Sequence, residues 1–188
     1  MVSKMKSVLI SIQPKWVEKI ANGQKTIEVR KTAPKQVPFK AYIYCTFPKK
    51  PAYTLWLNRG TENKFLADGK VIGEFVCDWI TKITPHCDID GFVNQYIHGY
   101  PAILGDNDCL SFNDMKAYLG NKKGYDWHIS DLKIYDKPKE MREFFKPCPT
   151  KEKGDCFDCD CLADNDYGGI CTNNLTRAPS NWQYVEEL

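Results

Sequence analysis

The sequence has 188 residues, of which 43% are hydrophobic and 27% are charged, and its formal net charge is +2. This length fits one domain, or one domain with a small appendage, and the apolar content is sufficient for a buried core. No apolar run approaches the roughly 18–20 residues that are needed to cross a bilayer. We therefore expect a soluble, cytoplasmic protein.

Charge is distributed unevenly along the chain. Residues 1–50 contain eleven lysines and arginines against two acidic residues, whereas residues 147–188 contain three against eight. A basic region of this kind can form a surface that attracts phosphates. The alternative is that these lysines are scattered over the surface without a common partner.

The first elements are predicted from residues 8–30. Residues 8–12 (VLISI) resemble a half-buried strand, and Pro14 suits the first turn of a helix. Trp16 and Ile20 lie at i,i+4 spacing, which predicts a helix of about two turns with one apolar face. Gly23 follows as a residue that readily takes a positive φ beyond the helix end.

The stretch GQKTIEVRK, residues 23–31, begins a second strand. Its strict alternation predicts that Glu28 and Arg30 point to the side opposite the apolar residues, with Lys25 at the helix-to-strand corner. These charges are predicted to form the polar floor of a site. The alternative is a set of ion pairs on a solvated strand edge, each of small energetic value.

The remaining elements complete an α+β pattern. Ser111 is a plausible N-cap, with Asp114 at the capping-box position, and Gly73 inside a strand indicates a bulge or a close backbone approach. Many strands with a few short helices are typical of an α+β or small-barrel domain. The patterns predict, in order, strands at 41–45 and 70–79, a short helix at 88–98, a helix at 112–119, one or two strands at 124–135, a helical turn at 138–145 and a final strand at 181–185.

Nine cysteines divide into two groups. Four are scattered through strand-like contexts and are predicted to be ordinary reduced residues, several of them in the core: Cys45, Cys77, Cys87 and Cys109. The other five crowd into residues 148–171. Because no secretory signal is recognisable, metal binding is a better explanation for this group than a disulfide framework.

The cysteine cluster contains a zinc-type spacing. Cys156 and Cys159 form a CxxC pair, which lets two thiolates bind one tetrahedral zinc ion. Cys148 and Cys171 could complete a closed structural Zn²⁺ site, and Cys161 competes for one of the four positions. The alternative is an unstructured, reduced and acidic tail.

Three segments together resemble the ASCH domain, a PUA-like β-barrel family: SIQP at residues 11–14, GQKTIEVR at residues 23–30 and VIGEF at residues 71–75. The resemblance covers about residues 6–135. WHI at 127–129 and NWQYV at 181–185 are similar to phage and prophage members. The resemblance implies an α+β ASCH-like barrel with short flanking helices over residues 1–146. A Cys-rich, zinc-stapled extension at 147–188 would return to the barrel.

The family resemblance implies a function in nucleic-acid chemistry. ASCH proteins are thought to bind RNA or modified nucleosides in a cleft beside the helix, where tryptophan rings can stack on unpaired bases. The three histidines are expected to be structural, although His128 is retained as a candidate. The ligand-binding residues predicted for this chain are Ser11, Gln13, Lys25, Glu28, Arg30, Trp127, His128 and Trp182.

Two alternative functions remain open. Some ASCH proteins hydrolyse the amide of N4-acetylcytidine and others are ribonucleases, and the catalytic lysine of the amidohydrolases corresponds to Lys25. Lys25 would act as base or nucleophile, with Glu28 as its proton-transfer partner. Those amidohydrolases carry threonine at the position of Glu28, so this chain departs from their pattern. The third possibility is a zinc-containing protein-interaction module.

Overall fold

The computed structural model describes residues 5–48, 54–58, 64–99, 107–148, 162–163, 170–171 and 173–187. These residues form strands, two α-helices and one 3₁₀ turn at Met141–Glu143. The helices are α1 (Pro14–Ala21) and α2 (Phe112–Leu119). The strands are β1 (Ser7–Ile12), β2 (Ile27–Arg30), β3 (Phe39–Cys45), β4 (Trp56–Asn58), β5 (Lys64–Leu66), β6 (Val71–Cys77), β7 (Ile80–Cys87), β8 (Val93–His98), β9 (Gly124–His128), β10 (Ser130–Lys139), β11 (Phe144–Phe145), β12 (Leu162–Ala163), β13 (Ile170–Cys171) and β14 (Trp182–Glu187).

The larger sheet has six strands in the order β10-β6-β3-β1-β14-β11. β1 pairs with β3 in parallel and with β14 in the antiparallel direction, so strands from the two ends of the chain are neighbours. β1 is almost entirely buried because it lies between these two strands. Its apolar run therefore faces protein on both sides of the sheet.

The smaller principal sheet has four antiparallel strands in the order β2-β9-β7-β8. Its edge strand β8 corrects a prediction, because residues 88–98 do not form a short helix. Val93 and Tyr96 are buried against neighbouring apolar residues, which gives a spacing of three that imitates a helical face. Pairing of β8 with β7 determines the conformation instead.

Both helices begin and end as predicted. Pro14 occupies the start of α1, and Gly23, just beyond the helix, has φ of +70°. Ser111 caps α2 in a complete capping box with Asp114, whose side chain accepts from the Ser111 backbone N–H. Neither helix is long and apolar enough to cross a membrane, which holds for the described residues.

The main core is lined by α1 and by strands of both principal sheets. Its largest member is Trp127 of β9, which is completely buried and contacts Phe39 of β3 edge-on, with ring centroids 5.1 Å apart. The two sheets therefore share one interior. This arrangement confirms the predicted α+β class and agrees with a barrel-like architecture.

Gly73 marks a close approach between backbones, as predicted. A Cβ atom at this position would lie 2.4 Å from the backbone oxygen of Lys133 on the neighbouring strand β10. The register between β3 and β6 also shifts between Ile43 and Tyr44, next to the glycine. A side chain at residue 73 would therefore force β6 and β10 apart.

The scattered cysteines include two core residues. Cys45 and Cys77 are completely buried, and burial raises the pKa of the Cys77 thiol to about 12. Burial also raises the pKa of Cys45. Cys87 is exposed and Cys109 is half-buried. The prediction that some of these residues lie in the core is confirmed for Cys45 and Cys77.

The predicted zinc ligands fall mostly outside the described residues. Cys156 and Cys159 lie there, and of Cys171 only the backbone is described, paired with Leu162 in the β12–β13 hairpin. Cys148 is half-buried at the end of the described segment 107–148. The zinc site therefore stays a prediction.

Candidate functional site

The charges of the 23–31 segment are buried. Lys25 is 2% exposed, Glu28 is 5% exposed and Arg30 is 6% exposed. Lys25 follows the end of α1, and β2 carries the other two residues into the interior between the sheets. The alternative of a solvated strand edge is excluded by this burial.

The three side chains form a continuous chain of ion pairs. Glu28 Oε1 lies 2.9 Å from an Arg30 guanidinium nitrogen, and Glu28 Oε2 lies 3.5 Å from Lys25 Nζ. Lys25 Nζ also donates to the backbone oxygen of Asp108 at 2.5 Å. One carboxylate thus faces two buried cations, which places a positive excess in a region of low dielectric.

Arg30 connects this group to β1 and to the C-terminal part of the chain. It donates to the Ser11 backbone oxygen at 2.7 Å and to Asn181 Oδ1 at 3.0 Å. Ser11 Oγ donates to the Pro179 oxygen at 2.6 Å. We call Ser11, Lys25, Glu28, Arg30 and Asn181 the polar network.

Two atoms of the polar network lack hydrogen-bond partners among the described residues: Glu28 Oε2 and Arg30 Nε. Lys25 Nζ is near Glu28 Oε2, but at 3.5 Å it makes an ion pair and not a hydrogen bond. A buried carboxylate oxygen without a donor is unfavourable. The network therefore retains an unused acceptor beside a buried lysine.

The other predicted ligand residues are distributed around the network. Gln13 is exposed before α1, and its side chain does not cap the helix. Trp127 is paired opposite Glu28 in the β2–β9 register, but its ring is enclosed in the core and presents no open face for stacking. Trp182 is half-buried, and its Nε1 donates to Thr32 Oγ1 at 3.0 Å.

His128 lies in a separate contact. Its Nδ1 is 2.6 Å from Asp78 Oδ1, and its ring stacks on Trp79 with centroids 4.7 Å apart. This parallel packing covers one ring face with an indole, which suits a structural residue. The structure therefore brings together Ser11, Lys25, Glu28 and Arg30 and leaves His128 outside that group.

Trp16, which the sequence predicts on the apolar face of α1, is an aromatic residue beside the network. Its ring packs partly against the main core and is half-buried. Lys25 Nζ lies 5.4 Å from the ring centroid, and Lys15 Nζ lies 4.1 Å from it. The sequence signal for this contact was the position of Trp16 on α1, because Lys25 follows the end of that helix.

A second polar group lies next to Lys25: His98, Asp108 and Asp126. His98 Nδ1 is 2.7 Å from Asp126 Oδ2, and His98 Nε2 is 4.0 Å from Asp108 Oδ2. The hydrogen bond to Asp126 raises the pKa of His98, and Asp108 adds to that effect. Sequence reasoning missed this group because its members come from three separate segments with no motif spacing.

Comparison with known proteins finds likenesses among solved structures. An ASCH protein from Zymomonas mobilis has 19% identity and a TM-score of 0.44, with 72% of this chain and 74% of that chain covered. A tyrosine-to-phenylalanine mutant of the same protein has 20% identity and a TM-score of 0.45, with 72% and 76% covered. No family model and no curated protein matches the chain. Likenesses of this degree leave the function of the chain open.

Proposed function

We propose that the protein binds RNA or a modified nucleoside at the polar network. The observation that carries this proposal is the buried acceptor Glu28 Oε2, which has no hydrogen-bond donor among the described residues and lies 3.5 Å from Lys25 Nζ. An N–H group on the edge of a base would satisfy this oxygen. The sequence resemblance to ASCH domains points to the same class of ligand.

Each neighbouring group has a role in this proposal. Lys25 would exchange the Asp108 carbonyl for a carbonyl or phosphate oxygen of the ligand, at little loss of hydrogen bonding. The half-buried ring of Trp16 would stack on the base. Lys15, with its side chain 51% exposed beside that ring, would contact the phosphate backbone.

Removing the Lys25 charge will weaken binding. We expect Lys25→Met to raise the dissociation constant for a single-stranded RNA oligonucleotide, or for N4-acetylcytidine, by about tenfold or more, because a buried charged contact is lost. Fluorescence anisotropy for RNA and calorimetry for the nucleoside measure this change. RNA binding by the wild type should also weaken as salt concentration rises.

Lys40→Met is the matched control for this experiment. Lys40 also pairs with a glutamate, Glu74, at 3.1 Å, but neither residue contacts the polar network. Trp16→Leu tests stacking without removing a network charge, and circular dichroism checks that every variant is folded. Equal losses in Lys25→Met and Lys40→Met, or unchanged binding in both Lys25→Met and Trp16→Leu, would contradict the proposal.

A second candidate function is hydrolysis of an N4-acylated cytidine. It is favoured by the buried contact of Lys25 Nζ with Glu28 Oε2, which could serve as a proton-transfer pair. Release of cytidine from N4-acetylcytidine, assayed in the samples used for binding, separates the two functions. Turnover by the wild type that is lost in Lys25→Met identifies an enzyme, whereas binding without turnover identifies a binding protein.

We also propose that residues 147–188 form an extension that is held together by a zinc ion. A zinc-held extension would also suit a protein-interaction module, which is the third candidate function. Clustered thiolates suit a reducing cytoplasm, where disulfides are rare. β14 hydrogen-bonds to β1, so the extension and residues 1–146 share a sheet. We also propose that the chain is related to phage-type ASCH proteins, and this proposal rests on the sequence resemblance.

The zinc proposal predicts a metal content. Elemental analysis of protein purified without chelators should give about one zinc ion per chain, as four thiolates hold one tetrahedral ion. Cys156→Ser and Cys159→Ser should each lose it. Cys87→Ser, which changes an exposed thiol on β7, should retain it. Wild-type protein without zinc would contradict the prediction. Zinc that remains in both the Cys156→Ser variant and the Cys159→Ser variant would also contradict it.

A further inference from the structure

His98, Asp108 and Asp126 converge on one point beside the polar network. One possible metal-ligand atom from each residue lies within 4.8 Å of the other two. Asp126 is buried, Asp108 is half-buried and His98 is the most accessible, with its side chain 39% exposed. The group therefore has a buried end and an open end.

The topology of the smaller sheet explains this convergence. Asp126 on β9 pairs with Thr81 on β7, and His98 on β8 pairs with Ile83 on the other side of β7. Because residues 81 and 83 are two apart, the side chains of Asp126 and His98 rise from the same face of the sheet. Asp108 comes from a different segment, and its own backbone oxygen accepts a hydrogen bond from Lys25.

Asp126 is incompletely satisfied. It is 3% exposed, and its Oδ2 atom takes both contacts, from His98 at 2.7 Å and from Thr81 Oγ1 at 3.3 Å. Its Oδ1 atom has no hydrogen-bond partner in the described part of the chain. A buried carboxylate usually has hydrogen-bond partners on both oxygens. We therefore expect a further polar or cationic group beside Asp126 Oδ1.

We propose that this group binds a divalent metal ion, with His98 Nε2 and the Asp108 carboxylate as ligands. The 4.0 Å between Nε2 and Asp108 Oδ2 is about twice a typical metal–ligand bond of roughly 2.1 Å, so an ion fits between them after a small adjustment. Asp126 holds the opposite ring nitrogen, which fixes the tautomer that presents Nε2 to the metal.

The donor types indicate the class of metal. One imidazole with carboxylates and no thiolate suits Mn²⁺ or another first-row divalent ion. Two carboxylates also balance the charge of one such ion. Two protein ligands leave several coordination positions for water, and Asp126 Oδ1 is available to accept from one of those waters. Some of these positions would also accept a phosphate oxygen.

Mn²⁺ is the best probe, because the clustered cysteines prefer softer metals such as zinc. Free Mn²⁺ measured by electron paramagnetic resonance gives the affinity of the full chain. We expect one site in the wild type and binding weaker by about tenfold to a hundredfold in Asp126→Asn, the range for loss of a carboxylate behind a metal-bound histidine. His98→Gln and Asp108→Asn should lose at least as much.

Asp78→Asn is the matched control. His128 and Asp78 form another histidine–aspartate contact of 2.6 Å at the end of β9, and neither residue is a proposed ligand, so this variant should leave Mn²⁺ binding unchanged. The chain has three histidines, which makes their ring signals easy to assign by NMR. Mn²⁺ should broaden the His98 signal at concentrations that leave His128 sharp.

The possible outcomes separate clearly. Weaker binding in His98→Gln together with selective broadening of His98 supports the site, even if Asp126→Asn proves unfolded by circular dichroism. Mn²⁺ bound equally by the wild type and His98→Gln would place the ion elsewhere, for example on the acidic residues of 147–188, and would overturn the proposal. Absence of Mn²⁺ binding by the wild type would also overturn it.

Discussion

Glu28→Gln will lower the free energy of unfolding by about 3–5 kcal/mol, the range for breaking a buried ion pair by removing one partner. The substitution keeps the shape of the side chain but removes the carboxylate charge that pairs with both Lys25 and Arg30. Both cations would then remain buried without this counter-charge. Urea denaturation at constant m-value measures the loss.

Glu74→Gln is the control for this prediction. Glu74 also bonds a lysine, Lys40, and in addition accepts from Tyr135 at 2.7 Å. Its lysine partner is 34% exposed, so water can solvate the charge that is left behind. We expect a loss of about 1 kcal/mol. A loss for Glu28→Gln no larger than this would show that the buried charges are compensated in another way.

Trp127→Ala will also lower the free energy of unfolding by about 3–5 kcal/mol. The ring is completely buried and contacts Phe39 and Trp182, with centroid distances of 5.1 Å and 5.7 Å. Removing it creates a cavity where the two sheets meet. Trp127→Phe should retain part of the stability, because a smaller aromatic ring still fills much of the space.

Trp56→Ala provides the comparison for Trp127. Trp56 lies on β4 and is 51% exposed, so we expect a loss of about 1 kcal/mol or less. Denaturation curves of the two alanine variants, recorded under the same conditions, measure the difference. Similar losses at both positions would mean that the Trp127 site collapses after truncation and that the sheets repack around it.

The parts of the fold that local chemistry determines were predictable from the sequence. Pro14 and Gly23 mark the limits of α1, and Ser111 with Asp114 marks the start of α2. The alternation of residues 26–30 predicts β2, although all four residues of that strand are buried. Its charged face meets other parts of the chain and not water.

Strand β8 was mispredicted because its cause is not local. Val93 and Tyr96 are the buried residues of the strand, and their spacing of three resembles a helix more than an alternating strand. The register of β7 with β8 is irregular between His86 and Cys87, which interrupts the usual alternation. Hydrogen bonds to β7 override the local preference.

The candidate site was predictable only in its local half. Lys25, Glu28 and Arg30 lie within six residues; the alternation indicated a shared polar face for Glu28 and Arg30, with Lys25 at the corner before the strand. The hydrogen-bond partners of these charges are distant in sequence, since Asp108 is 83 residues from Lys25 and Asn181 is 151 residues from Arg30. No spacing rule connects such residues, and the same applies to His98 and Asp126.

The pairing of β1 with β14 has a consequence for how the chain folds. Ser7 is opposite Val185 and Ile10 is opposite Trp182, so β1 stays an unpaired edge on that side until β14 has been synthesised. During translation, a nascent chain would expose this apolar strand to other molecules until β14 emerges. The closing step joins residues that are far apart in sequence, which makes it entropically demanding and slow.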